Sequence, residues 1–315
     1  MKRLFVLTFL LACGLSAHAL TKVTFMPQWT PQTQFAGFYM ALEKGFYEEE
    51  GLDVTISHIG VNSTESILDN LLAGKAQIVG QQLLQGIVAR ADGKPIVNVL
   101  QLSQKSGLRC VSHHPISKPE QLDGLKVGRW KIGYSEFCDL MEVSNGIHVD
   151  WVPFINGINL FLFGAVDATL CYSYSEYVAL RLAMGDIPDD NVIKFSDFGY
   201  ECPEDGLYVT DEYYRNNKET VDAFVRASIR GWDYVRGHHE EAVDLTMRYV
   251  TESSIVTNRV HQSLMLEEYL DLHVNPVTGA PDYAPVNRDI FHDMISGLFN
   301  TGFITTKPEY RDCIK

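Results

Sequence analysis

Beyond its N-terminal segment the sequence has no run of about 18 uninterrupted apolar residues, the length a membrane-crossing helix needs. It has no CxxC pair either. Its six cysteines, Cys13, Cys110, Cys138, Cys171, Cys202 and Cys313, stand singly, so neither a zinc site nor a disulfide framework is expected. They read as small buried hydrophobes. Basic residues are scarce: 26 Lys and Arg against 40 Asp and Glu give a formal charge of -14, a poor surface for nucleic acid. No HExxH, phosphate loop or G-x-S-x-G elbow occurs, and the adjacent pairs His113/His114 and His238/His239 cannot face one another. Catalytic residues, a metal and a cofactor are therefore not expected, and the chain reads as a non-enzyme. Repeats, low-complexity tracts and long Gly/Ser or Pro linkers are also missing.

What is present begins with an export signal. Met1, Lys2 and Arg3 are followed by an apolar run to Leu11, and Ala17-His18-Ala19 forms an A-x-A cleavage pattern, so residues 1–19 read as a signal peptide. A rival processing site is Leu10-Leu11-Ala12 before Cys13. The expected location is periplasmic, or lipid-anchored at Cys13.

From Lys22 onward, extended and helical runs alternate. Val23 to Met26 reads as a strand, Thr30 and Pro31 as a helix cap and first residue, and Phe35, Phe38, Tyr39 and Leu42 as one apolar helix face. Asn62 with Glu65, and Ser117 with Glu120, read as capping boxes. The rhythm restarts near residue 107, reaches a last clear strand at Val192 to Phe195, and becomes purely helical from Asp211. The fold class is α/β with a mixed, mostly parallel sheet in each of two lobes. Lobe 1 is assigned to 20–103 and 206–315, lobe 2 to 104–205, with a ligand cleft between them, since open α/β sheets bind ligands beyond their strands' carboxyl ends.

Those strand ends supply the candidates. Trp29 follows a strand and precedes the helix start, flanked by Gln28 and Gln32; it is either a plug at a lobe seam or a wall on which a flat ring stacks. In TLCYSYSEY, Tyr172, Tyr174 and Glu176 share one parity of an extended run. Glu176 either answers a helix dipole or accepts hydrogen bonds from a ring amine, with Tyr174 packed on the ring. Gln28, Gln82, Tyr134 and Glu204 are further candidates, with loop packing or capping as the plainer alternative. Arg129 is the one basic residue near a strand end, too little for an anion site.

The stretches WTPQTQFAGFYMALEKGFYEEEGLDV, KVGRWKIGYSEF, GAVDATLCYSYSEY and DFGYECPEDGLYVTDEYY together resemble the thiamine-pyrimidine branch of the substrate-binding proteins of ABC importers. The resemblance implies a type II periplasmic binding protein fold, a monomer that hands an aminopyrimidine such as formylaminopyrimidine or hydroxymethylpyrimidine to an ABC permease, and ligand contacts from Trp29, Tyr174 and Glu176. Riboflavin or another flat heterocycle is the alternative ligand. The related thiamine-pyrimidine synthase, which consumes its own histidine and pyridoxal phosphate, is similar in fold but carries a CCCFC segment that this sequence lacks.

Overall fold

The computed structural model describes residues 19–60, 65–131, 133 and 135–315. The signal segment with Cys13, the Asn62 cap and Tyr134 lie outside the described residues. Ten strands are described: β1 Thr21–Met26, β2 Leu52–Ile56, β3 Ile78–Gln82, β4 Ile96–Gln101, β5 Leu108–Ser112, β6 Lys126–Trp130, β7 Asp150–Phe154, β8 Ala168–Tyr172, β9 Val192–Lys194 and β10 Asp205–Thr210. They form two five-stranded sheets, in the orders β2-β1-β3-β10-β4 and β7-β6-β8-β5-β9. In each sheet one strand runs against the others: β10 is antiparallel to β3 and β4, and β5 to β8 and β9. The chain thus leaves the first sheet after β4 and returns to it with β10, through crossings at residues 102–107 and 195–204.

The first sheet is covered by helices from both ends of the chain. Val23 and Phe25 of β1 are buried, and the Phe25 ring lies 4.5 Å from Phe38 and 5.5 Å from Phe224. Phe38 belongs to helix Ala36–Glu43, whose expected apolar face is buried except at half-buried Leu42. Phe224 belongs to the long helix Lys218–Gly237. These two helices approach closely because glycines face each other: a Cβ on Gly231 would stand 2.0 Å from the Gly37 carbonyl oxygen, and one on Gly37 would enter the Trp232 ring. Trp232 is fully buried there, so the late helices are part of the first lobe's core.

Two helix starts differ from expectation. Thr30 is not a cap: the chain bends through residues 28–32, and a 3-10 turn at Thr33–Phe35, entered from an extended Gln32, opens the helix. Thr33 is held instead by a distant partner, its N–H donating to Gln262 Oε1 and its hydroxyl to the Gln262 carbonyl, both at 2.8 Å. Ser117 likewise caps no α-helix; it donates from N–H and hydroxyl to Gln121 Oε1 beside a 3-10 turn at Pro119–Leu122. Strand β10 was not expected at all. Cys110, Cys138, Cys171, Cys202 and Cys313 are free thiols, all buried but the half-buried Cys202. No described helix is long and apolar enough to cross a membrane.

Candidate functional site

A cavity of about 380 Å³ lies between the two sheets, within the range of small-molecule sites. Its walls are the carboxyl ends of strands. Gln28 and Trp29 follow β1, Gln81 and Gln82 close β3, Trp130 ends β6 with Lys131 after it, and Tyr172 ends β8 with Tyr174 and Glu176 after it. Two features stand out from the lining. Six glutamines border it, at 28, 32, 34, 81, 82 and 85, all from the first lobe. Its charged groups, among the described residues, are the carboxylates of Glu65, Asp92, Glu136 and Glu176 against Lys94 and Lys131.

Trp29 is half-buried at the cavity wall and packs against the main core. Its backbone is pinned from below. His58 Nδ1–H donates to the Trp29 carbonyl at 2.7 Å, and His58 Nε2 accepts from the Tyr39 hydroxyl at 2.8 Å. That neutral tautomer fits the burial that holds the His58 pKa down at about 4. A neutral, doubly bonded imidazole therefore fixes the turn that presents the indole.

Glu176 is the first residue of helix Glu176–Met184 and half-buried. Its Oε1 accepts from Trp130 Nε1 at 3.0 Å and its Oε2 from the Tyr172 N–H at 3.2 Å. Burial raises its pKa above the usual carboxylate value, opposed by those hydrogen bonds and by its own N–H, which favour the ion. A carboxylate offers about four acceptor positions, so capacity remains for a donor arriving from the cavity.

The aromatic side is layered. Trp130 and Tyr172 have centroids 5.1 Å apart, and Tyr172 stacks on Tyr174 at 5.2 Å with planes 13° apart. Tyr174, expected to pack on the ligand, borders the cavity but is only 2% exposed, because Tyr172 covers one face and Tyr269 meets it edge-on at 5.0 Å. Its hydroxyl accepts from Gln34 Nε2 at 3.1 Å. Three further rings line the cavity, half-buried Trp29 and the buried Trp130 and Tyr172, 6% and 8% exposed, and sequence reasoning singled out only the first of these as a contact. Trp130 was in view within KVGRWKIGYSEF, at a strand's carboxyl end.

Of the other candidates, Gln82 borders the cavity and donates to the Tyr172 hydroxyl at 2.9 Å, a bond from one lobe to the other. Gln28 borders it too, but its Nε2 donates to the buried Asp205 carboxylate. Glu204 is not among the cavity residues: it is buried in the returning crossing, where its Oε1 accepts from Gly107 N–H at 2.7 Å and the Ser106 hydroxyl at 2.9 Å. Its carboxylate ties the two crossings together. Tyr134 lies outside the described residues. Arg129 is not a cavity residue either; the basic groups that do reach the cavity are Lys131, two residues further on, and Lys94.

Two glutamine bonds besides that of Gln82 also cross between the lobes: Gln34 reaches Tyr174, and Gln85 Nε2 donates to the Gly133 carbonyl. The arrangement is a deep slot with flat aromatic walls, an amide side and a carboxylate at one end. Groups of this kind can stack on a planar molecule and accept N–H donors at Glu176.

This is the architecture of an α/β binding protein with a ligand cleft between lobes, and comparisons with known proteins agree. The profile of the NMT1/THI5-like family matches residues 32–242, and the chain belongs to that family. It is similar to the riboflavin-binding protein RibY of Chloroflexus aurantiacus, 26% identical over 82% of this chain and 75% of that protein. The formylaminopyrimidine-binding protein of Halalkalibacterium halodurans is 25% identical over 87% of this chain and 85% of its own length. The 4-amino-5-hydroxymethyl-2-methylpyrimidine phosphate synthase of Aspergillus parasiticus is 25% identical over 86% and 74%. Among solved structures, the periplasmic aliphatic sulphonate binding protein SsuA of Escherichia coli superposes with a TM-score of 0.66 at 15% identity, covering 92% of this chain and 96% of that one. These likenesses show the periplasmic binding protein fold.

Proposed function

We propose that the chain is an extracytoplasmic substrate-binding protein of an ABC importer, and that its ligand is a thiamine-pyrimidine precursor carrying a ring amine. The observation that carries the reading is the Glu176 carboxylate, oriented by Trp130 and the Tyr172 amide at the end of a slot walled by aromatic rings. A charged acceptor contributes about 1.5 to 3 kcal/mol to such a hydrogen bond, and each aromatic wall about 1 to 3. At the upper ends of these ranges they approach micromolar affinity, about 8 kcal/mol. Four carboxylates against two ammonium groups in the lining disfavour an anionic ligand. The formylaminopyrimidine-binding relative supports the ring class.

Lobes of 20–103 with 206–315, and 104–205, would close on the ligand and present it to a permease, the ligand shifting the population toward the closed form. We place the protein outside the cytoplasm on the strength of the N-terminal signal pattern. An enzyme like the synthase relatives is disfavoured because no histidine or cysteine is among the described cavity residues. Incubation with pyridoxal phosphate and iron should accordingly leave the mass of the protein unchanged; loss of mass at a histidine would establish the enzyme instead.

A flavin-type ligand is the second reading. It is favoured by the length of the cavity, whose lining continues past the aromatic slot to Ser66, Leu68, Ala89 and Lys94, and by the similarity to RibY. Thermal-shift and calorimetric titration with aminopyrimidines, riboflavin and alkanesulfonates separates the readings. Stabilisation by an aminopyrimidine with micromolar affinity supports the first; stabilisation by riboflavin alone replaces it with the second; stabilisation by sulfonates alone rejects both.

A further inference from the structure

The amide side of the cavity is held from behind by a residue that does not border it. Asp205, the first residue of β10, is buried. Its Oδ1 accepts from Gln28 Nε2, and its Oδ2 from Gln34 Nε2 at 2.7 Å and from the Tyr269 hydroxyl. These donors come from three separate places: the turn after β1, the 3-10 turn at Thr33–Phe35, and helix Arg259–Leu272. The backbone of Asp205 is locked as well, its N–H donating to Ser103 Oγ at 3.2 Å and its carbonyl accepting from Leu102 N–H at 2.8 Å. The side chains around it must therefore adapt to the carboxylate.

An ionised carboxylate only accepts hydrogen bonds. Any glutamine that meets it must turn its NH2 group inward and its carbonyl oxygen away. For Gln34, that oxygen then accepts from Gln32 Nε2, so Gln32 in turn has its carbonyl oxygen left for other partners. The oxygen of Gln28 is directed over Gly80, where a Cβ would stand 2.1 Å from Oε1. Only a glycine in β3 leaves room for this orientation. One carboxylate thus sets the sense of three cavity amides. Burial lifts the Asp205 pKa to about 6 against the pull of its three donors, so the group is ionised at neutral pH.

We propose that Asp205 is a positioning residue that fixes the amide sense of Gln28 and Gln34 and, through Gln34, that of Gln32, so that the Gln32 carbonyl oxygen is left as an acceptor at the cavity wall and rings bearing N–H donors are selected over isosteric rings bearing a carbonyl. The proposal rests on reading the cavity as a heterocycle site. It adds to Glu176 a second source of the same preference. A ring carbonyl at that point would set oxygen against oxygen, leaving this acceptor unpaired.

The test is Asp205→Asn, which keeps the size but places an NH2 group where an acceptor stood, so that at least one facing amide must turn round. Calorimetry compares a 4-aminopyrimidine with the matching 4-oxopyrimidine in wild type and variant. The wild type should prefer the amino ring about tenfold or more, and D205N should reduce that ratio several-fold. Mere structural damage lowers both affinities together, so an unchanged ratio overturns the proposal. A wild type without the preference overturns it whatever the variant does. A ligand-free arm separates this inference from the proposed function: the side-chain NH2 protons of Gln28 and Gln34, assigned by NMR, should exchange slowly in wild type and faster in D205N. Equal exchange rejects the role of Asp205. Binding of neither ring rejects the heterocycle reading, and the exchange arm then still decides what Asp205 does.

Discussion

The two sides of the cavity are built by opposite means. On the first lobe, the glutamine amides of Gln28 and Gln34 converge on a buried carboxylate outside the cavity lining, and residues from the far end of the chain hold the frame around them, Tyr269 the carboxylate and Gln262 the neighbouring Thr33. On the second lobe, the aromatic and acidic groups organise one another within a few residues or across neighbouring strands: Trp130 and Tyr172 both serve Glu176. The difference teaches that one side depends on the whole lobe being folded, whereas the other is a local motif at the ends of β6 and β8. Specificity can then be adjusted separately on each side.

Charge on the second lobe is the most consequential feature to break. Because burial raises the Glu176 pKa, affinity for an aminopyrimidine should be full above that pKa and fall as pH drops through it, at a higher pH than for an ordinary exposed Glu. The expected loss is about ten- to a hundredfold. Titrations of Glu176→Gln over the same range should be weak throughout and flatter, which separates the protein's proton from the ligand's own. On the first lobe, Trp29→Ala should cost about tenfold in affinity through lost stacking, measured by calorimetry. Tyr172→Phe keeps the ring and removes the acceptor of the Gln82 bond between the lobes, so a two- to tenfold loss is expected. If that variant binds as wild type does, the lobes close without help from this bond.

The smallest effect concerns stability. Asp205 has a folded-state pKa of about 6, above its unfolded value of about 3.9. A group raised in this way contributes most below its unfolded pKa and loses that contribution as pH rises through 6. The wild type should therefore gain stability from this group on acidification from about pH 7 to 5, and Asp205→Asn should lessen the gain by a few degrees of Tm. Parallel pH profiles of the two proteins would assign that part of the slope to another carboxylate.

Much of the scaffold was readable from periodicity. The burial of Phe35, Phe38 and Tyr39 follows from their helical spacing, and the cavity lies beyond strand ends because parallel strands place their carboxyl ends together. What escaped reading depends on partners far along the chain. Strand β10 lies between a Pro-containing crossing and a helical stretch, and its antiparallel place between β3 and β4 is a tertiary fact. Asp205 at its start reads as a turn residue, and nothing local reveals that Gln28, Gln34 and Tyr269 converge on it. Glu204 is a candidate in the sequence with loop packing as the alternative, and the crossing turns it toward Ser106 and Gly107. Thr30 with Pro31 after it reads as a cap, but the helix opens later, at Thr33, which Gln262 holds from far along the chain. The extended run expected to carry Tyr172, Tyr174 and Glu176 ends at Tyr172; residues 173–175 form a turn and Glu176 opens a helix, and Tyr172 and Tyr269 enclose Tyr174.

The most direct test is a crystal structure of the protein grown with a 4-aminopyrimidine precursor of thiamine. The account predicts the ring in the slot beside Trp29, Trp130 and Tyr172, with its amino nitrogen about 2.7 to 3.1 Å from a Glu176 carboxylate oxygen. A ring seated elsewhere, or a Glu176 carboxylate that makes no contact with it, would contradict the account.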